Sequence, residues 1–116
     1  VLADAYRGQR RWADVASAWD DLKAASPAHD VMAEGRIVAA SALADQGELR
    51  AAIELMEAAG KAPKRVRDHH LRQWYVLADL YDRAGDPVAA TRWFREIAAR
   101  DPAFADVRER LRSLGR

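Results

Sequence analysis

The stretch richest in groups that do chemistry is Asp68-His69-His70 with the cations Lys61, Lys64, Arg65, Arg67 and Arg72 around it. Imidazoles beside a carboxylate can ligate a metal or move protons, and clustered cations can hold phosphate. The spacing disfavours a metal. Neighbouring residues on a helix point about 100° apart, so three consecutive side chains do not converge as ligands at i and i+4 do. The remaining histidine, His29, stands 40 residues before His69. Adjacent acids such as Asp20-Asp21 diverge for the same reason. The chain has no Cys, which excludes thiol catalysis, thiolate zinc sites and disulfides. It has neither a Gly-rich phosphate loop nor a G-x-S-x-G elbow, so no nucleophile with a matching base is apparent. No catalytic residue, metal or cofactor is therefore expected. The basic run reads as a solvated linker entering a helix: the net charge is only +1 and no nucleic-acid motif accompanies it. Nucleic acid is not an expected partner.

What remains is the scaffold. With 116 residues, half of them apolar and 32% charged, the chain can bury a core without metals or cross-links. No apolar run reaches the length of a membrane span and no signal-peptide pattern opens the sequence. Lack of Cys fits a reducing compartment, and a cytoplasmic location is expected. Arg outnumbers Lys, Ala is abundant and Asn is absent, the bias of GC-rich coding.

Residues 71–102 read as a complete helix–turn–helix. Trp74, Leu77, Ala78 and Tyr81 follow a W-x2-L-[GA]-x2-Y spacing, with Ala90, Phe94 and Pro102 after them. A helix is predicted over about 69–84 and another over about 87–100. Gly85-Asp86-Pro87 between them supplies a left-handed C′ residue, an N-cap and a first-turn proline. Residues 30–63 hold a degenerate copy, with Ala40, Gly47, Ala52 and Met56 each 38 residues before Ala78, Gly85, Ala90 and Phe94. Arg36 replaces Trp74 there and Leu43 replaces Tyr81. The spacing exceeds that of a standard repeat, and the excess is assigned to the linker 60–70, with helix lengths unchanged. Residues 1–27 hold a truncated copy, with Trp12, Val15 and Trp19 each 37 residues before Leu49, Ala52 and Met56. Only the tail of its first helix, about residues 1–8, is present, which implies a protein continuing upstream. Phe104, Val107, Leu111 and Leu114 make an apolar stripe, predicting a capping helix over 103–114.

These residues resemble the tetratricopeptide (TPR) repeat, whose period is about 34 residues. The resemblance covers the whole chain but is complete only over 71–102. It implies an all-α fold, a right-handed superhelical array of antiparallel helix pairs with a C-terminal capping helix, forming a single domain. The aromatics Trp12, Trp19, Trp74, Tyr81, Phe94 and Phe104 then fall on packing positions, and Trp93 is the least certain of the set.

The resemblance also places a concave groove on the first helix of each pair. By that mapping, Glu34, Ile37, Ser41, Ala44 and Asp45 line it in the second copy, and Arg72, Tyr75, Asp79, Asp82 and Arg83 in the third. It implies a non-catalytic module that binds a peptide or protein segment, with Tyr75 as anchor. A Tyr75→Ala, Arg72→Glu variant should lose its partner with melting nearly unchanged. The Lys/Arg/Asn clamp that some TPR domains use for chaperone C-terminal carboxylates does not fit. Asp4, Val38, Arg72 and Val76 stand at its positions, and only Arg72 matches. The alternative is structural: self-association through Leu2 and Tyr6 at the N-terminal end, giving a homo-oligomer, or an assembly or sensor segment of a larger regulator or enzyme.

Overall fold

The turn Gly85-Asp86-Pro87 sets where one helix ends and the next begins. In the computed structural model, which describes residues 3, 7, 8, 11–60 and 62–115, Gly85 has φ +82°. Glycine takes this left-handed conformation without the Cβ penalty. The Gly85 amide donates to the Asp82 carbonyl at 3.1 Å and the Asp86 amide to the Tyr81 carbonyl at 2.9 Å, a Schellman C-terminus. Asp86 Oδ1 then accepts from the Ala89 amide at 3.1 Å, and Pro87 opens the next helix. Gly47 repeats the device with φ +84°. Its amide donates to Ala44 and the Glu48 amide to Leu43, both at 2.9 Å.

The helices are α1 (Trp12–Ala24), α2 (His29–Asp45), α3 (Leu49–Glu57), α4 (Asp68–Arg83), α5 (Pro87–Arg100) and α6 (Val107–Leu114). No strand occurs among the described residues. The starts of α1, α3 and α5 stand 37 and 38 residues apart, the register read from the sequence. The chain divides into two compact units, Val1–Lys61 and Ala62–Arg116.

In the first unit α2 packs against both α1 and α3. Its buried residues, Ala33, Val38, Ala39, Ala40, Ala42 and Ala44, point in nearly every direction around the axis, as befits a central helix. Val15 of α1 packs with Val38 and Ala42, and Trp12 and Ala3 lie against that cluster. In the second unit α5 packs against α4 and α6. Leu71, Trp74, Ala78, Ala90, Phe94, Ile97 and Val107 form its core, and Phe104, Leu111 and Leu114 pack onto it. Trp93 joins the edge of this core with its ring 6.1 Å from that of Trp74. Residues 38 positions apart are buried alike: Ala40, Ala78, Ala52 and Ala90 have no exposed surface, Met56 keeps 3% and Phe94 none.

Two boundaries differ from expectation. Helix α3 has nine residues against fourteen in α5, so the helix lengths are not unchanged and the linker before α4 is longer than equal helices would leave it. The reason is local. Ala59 and Gly60 stand where α5 has Ile97 and Ala98; Ile97 is fully buried, Ala59 is exposed, and Gly60 turns left-handed with φ +90°. Nothing apolar anchors a further turn. The capping helix begins at Val107 and not at 103, because residues 102–106 form turns in which Ala105 has φ +45°.

Arg36 ties α2 to α3. Its Nη1 donates to the Leu55 carbonyl at 2.8 Å, in the last turn of α3, where a cation also meets the negative end of the helix dipole. Its guanidinium lies 5.2 Å from the centre of the Trp19 ring. Burial pulls its pKa down, yet a guanidinium stays charged at any physiological pH. Arg36→Ala should cost about 1–2 kcal/mol, from one charge-assisted hydrogen bond and one cation–π contact. Urea denaturation followed by circular dichroism measures this, and a change below about 0.5 kcal/mol would mean desolvation cancels both contacts.

Candidate functional site

At about 100° per residue, Glu34, Ile37, Ser41 and Asp45 share one narrow stripe along α2. The first three are half-buried and Asp45 is exposed. Ala44, the fifth mapped position, is 5% exposed; it belongs to the core and offers no surface to a ligand. The stripe thus has an apolar, small-residue middle at Ile37 and Ser41 with a carboxylate toward each end. Asp45 is engaged: Arg7 Nε donates to its Oδ2 at 2.8 Å and Arg7 Nη2 to Oδ1 at 3.4 Å. Because that pair is over a third exposed on both sides, it adds little stability and orients the carboxylate.

Arg72, Tyr75, Asp79, Asp82 and Arg83 form the matching stripe on α4. Arg72 and Arg83 are exposed, and the other three are half-buried. The middle of this stripe receives α6. Arg110 Nη2 donates to Asp79 Oδ1 at 2.9 Å and to Asp82 Oδ2 at 3.1 Å, and its Nη1 donates to the Tyr75 hydroxyl at 3.3 Å. Its guanidinium lies 4.8 Å from the centre of the Phe94 ring and 5.8 Å from that of Tyr75. The Tyr75 hydroxyl in turn donates to Asp106, and its ring meets Phe94 edge-on at 5.4 Å and Phe104 at 6.3 Å. Arg83 reaches the other oxygen of Asp79 at 3.9 Å.

The electrostatics follow from this packing. Burial alone lowers the pKa of Arg110, but hydrogen bonds to Asp79, Tyr75 and Asp82 outweigh it and hold the group above its ordinary value. Burial, reinforced by the bond to Asp106, raises the phenol pKa of Tyr75, with Arg110 opposing. Tyr75, expected to anchor a ligand, is thus also a fastening for α6. Sequence reading missed Arg110 because α6 carries three arginines and only one turns inward. The signal was present: Arg110 lies at i+3 from Val107 and beside Leu111, on the apolar stripe.

The basic run is spread along the chain before α4. Lys64, Arg65 and Arg67 are exposed, and Lys61 lies outside the described residues, as do Leu2, Asp4 and Tyr6. His70 has a local structural role: its Nδ1 accepts from the Arg67 amide at 2.9 Å, closing the first turn of α4. The His69 and His70 rings lie with centres 4.1 Å apart, their planes tilted by 39°. Among the described residues no group of three or more His, Asp or Glu side chains is placed to hold a metal. None of the described helices is long and apolar enough to cross a membrane.

Among the described residues the fold is all-helical. Comparison with protein-family models, with curated proteins and with solved structures gives no match.

Proposed function

We propose that this chain is a non-catalytic, TPR-type protein-interaction module that binds a peptide or protein segment along the first helix of its pairs. The observation that carries this reading is the stripe on α2. Ile37 and Ser41 stay half-buried beside the fully or nearly buried Val38, Ala39, Ala40 and Ala42. A central helix that is apolar on nearly every side leaves one shallow strip of mixed character, which suits an apolar side chain of a partner with polar flanks. The corresponding strip on α4 is filled in its middle by Arg110, with Arg72 and Arg83 exposed at its ends. That filling supports the same reading: Tyr75, Asp79 and Asp82 already receive an arginine from another helix.

Ile37→Lys tests the reading. It places a cation in the apolar middle of the strip without touching a fully buried residue. Selection from a displayed peptide library should yield apolar-centred sequences for the wild-type chain. Their affinity for the variant should fall by about tenfold or more, with unchanged circular dichroism. Equal affinity for wild type and variant would remove the α2 strip as the binding surface.

A further inference from the structure

Charge is unevenly divided between the two units. Residues 1–61 hold seven Lys and Arg against ten Asp and Glu, a net −3; residues 62–116 hold twelve against eight, a net +4. The neutrality of the whole chain therefore hides a polarity along it. Two large apolar side chains also stand exposed among the described residues, one in each unit: Val31 at 47% and Val88 at 80%. A single exposed valine means little. These two lie beside charges of opposite sign.

Val88 lies in a groove of about 540 Å³ lined also by Pro87, Thr91, Arg92, Arg95 and Leu114. Val88, Arg92 and Arg95 follow one another at i, i+4 and i+7 on α5, so they share a face. Glu96, the one acid at this groove, is held by Arg100 at 2.7 Å. Arg92 rests over the Trp93 ring at 5.6 Å, and both Arg92 and Arg95 are exposed. The groove thus pairs an apolar floor with two cations. In the other unit, Val31 and Asp30 open α2 and are exposed. Exposed Asp21 stands near the end of α1, at the same end of the α1–α2 pair. Asp20 beside it is already bonded to Lys23 at 3.3 Å.

We propose that the Val88 groove docks a second copy of this chain, which presents the acidic, Val31-bearing end of its own α1–α2 pair. Copies then associate head to tail. Charge complementarity selects this occupant: the basic surface and an acidic surface with an apolar tip occur on the same chain. The contact is heterologous, so each added copy leaves one groove and one acidic end open. On the groove side it rests on Arg92, Arg95 and Val88, none of which belongs to the α2 strip.

Sedimentation velocity on the whole chain tests it with two charge-reversal variants. One is Arg92→Glu with Arg95→Glu, and the other is Asp21→Lys with Asp30→Lys. In dilute buffer the mean mass of the wild type should rise with concentration, and about 0.5 M salt should return it toward monomer. Each variant alone should associate at least about tenfold more weakly than wild type. An equal mixture of the two should regain association, because every contact between unlike copies then joins opposite charges, native groove to native end and reversed groove to reversed end. Arg65→Glu with Arg67→Glu, which changes net charge equally, should leave wild-type behaviour intact. A wild type monomeric at every concentration in dilute buffer overturns the proposal. So does association by either variant alone that matches wild type, a mixture that stays monomeric, or equal loss in the Arg65, Arg67 control. Binding of an unrelated acidic protein by a wild type that never self-associates would reassign the groove and equally overturn it.

Discussion

Tyr75→Ala is expected to destabilise the unit of residues 62–116 by about 2–3 kcal/mol, below the loss for a fully buried aromatic because the residue is only half-buried. The ring packs on Phe94 and Phe104, and its hydroxyl joins Asp106 to Arg110. Removing it also strands partners, which adds to the cost. The sequence-based expectation of an unchanged melt in a Tyr75→Ala, Arg72→Glu variant is therefore replaced by a clear loss. Tyr75→Phe keeps the packing and should cost about 1 kcal/mol. The two variants separate ring from hydroxyl.

An alkaline signature distinguishes the hydroxyl further. The folded-state pKa of Tyr75 is raised above the ordinary 10.0, so the unfolded chain releases the phenol proton first. The native state then holds more protons than the unfolded one above about pH 10, and stability falls as pH rises there. Below that pH both states keep the proton and the contribution is fully present. Urea denaturation at pH 8 to 11 should show the stability gap between wild type and Tyr75→Phe to be constant at first and to shrink above about pH 10. A constant gap across the range would show that the phenol is not held by its folded surroundings.

How much of this arrangement was legible depends on the range over which each residue acts. Gly47 and Gly85 act within a few residues, so their turns and the helix starts after them follow from local chemistry. Periodicity likewise assigned Ala40, Ala52, Ala78, Ala90, Phe94 and Val107 to the core, since each repeats on an inward face. The end of α3 was harder. It depends on the absence of an apolar anchor at Ala59, and a missing contact leaves no pattern to count. Arg110 was harder still, because its partners lie 28 to 35 residues earlier and its role requires knowing which α6 face turns inward. The α2 and α4 strips followed from a resemblance, and their unequal fates did not. The α4 strip meets an arginine from α6 in its middle, whereas Ile37 and Ser41 on α2 keep part of their surface.

Gly35→Leu should produce the other large loss, about 2–3 kcal/mol in the first unit. An isolated glycine inside a helix weakens it by about 1 kcal/mol relative to Ala, so its presence in the middle of α2 calls for a packing reason. The geometry supplies one. A Cβ at Gly35 would stand 2.1 Å from Leu22 Cδ2 and 3.3 Å from the Trp19 ring, so α1 and α2 touch here through bare backbone. For Gly35→Ala the Leu22 methyl can rotate away, and the gain in helix propensity offsets much of the strain. For leucine the branched chain meets Trp19, which is 7% exposed and flanked by Lys23 and Arg36 at 5.3 and 5.2 Å. The ring cannot withdraw without breaking those contacts, and overpacking of this kind typically costs about 1–3 kcal/mol. Leu22→Ala should restore part of the room. The double variant Gly35→Leu, Leu22→Ala should then be more stable than the sum of the single losses by about 1 kcal/mol. Strict additivity in urea denaturation would mean that the α1–α2 approach is not limited at Leu22, and that α2 could shift to accept a larger residue. The coupling bears on binding as well, because Ile37 lies two residues beyond Gly35, and any shift of α2 that relieves the clash moves the strip with it.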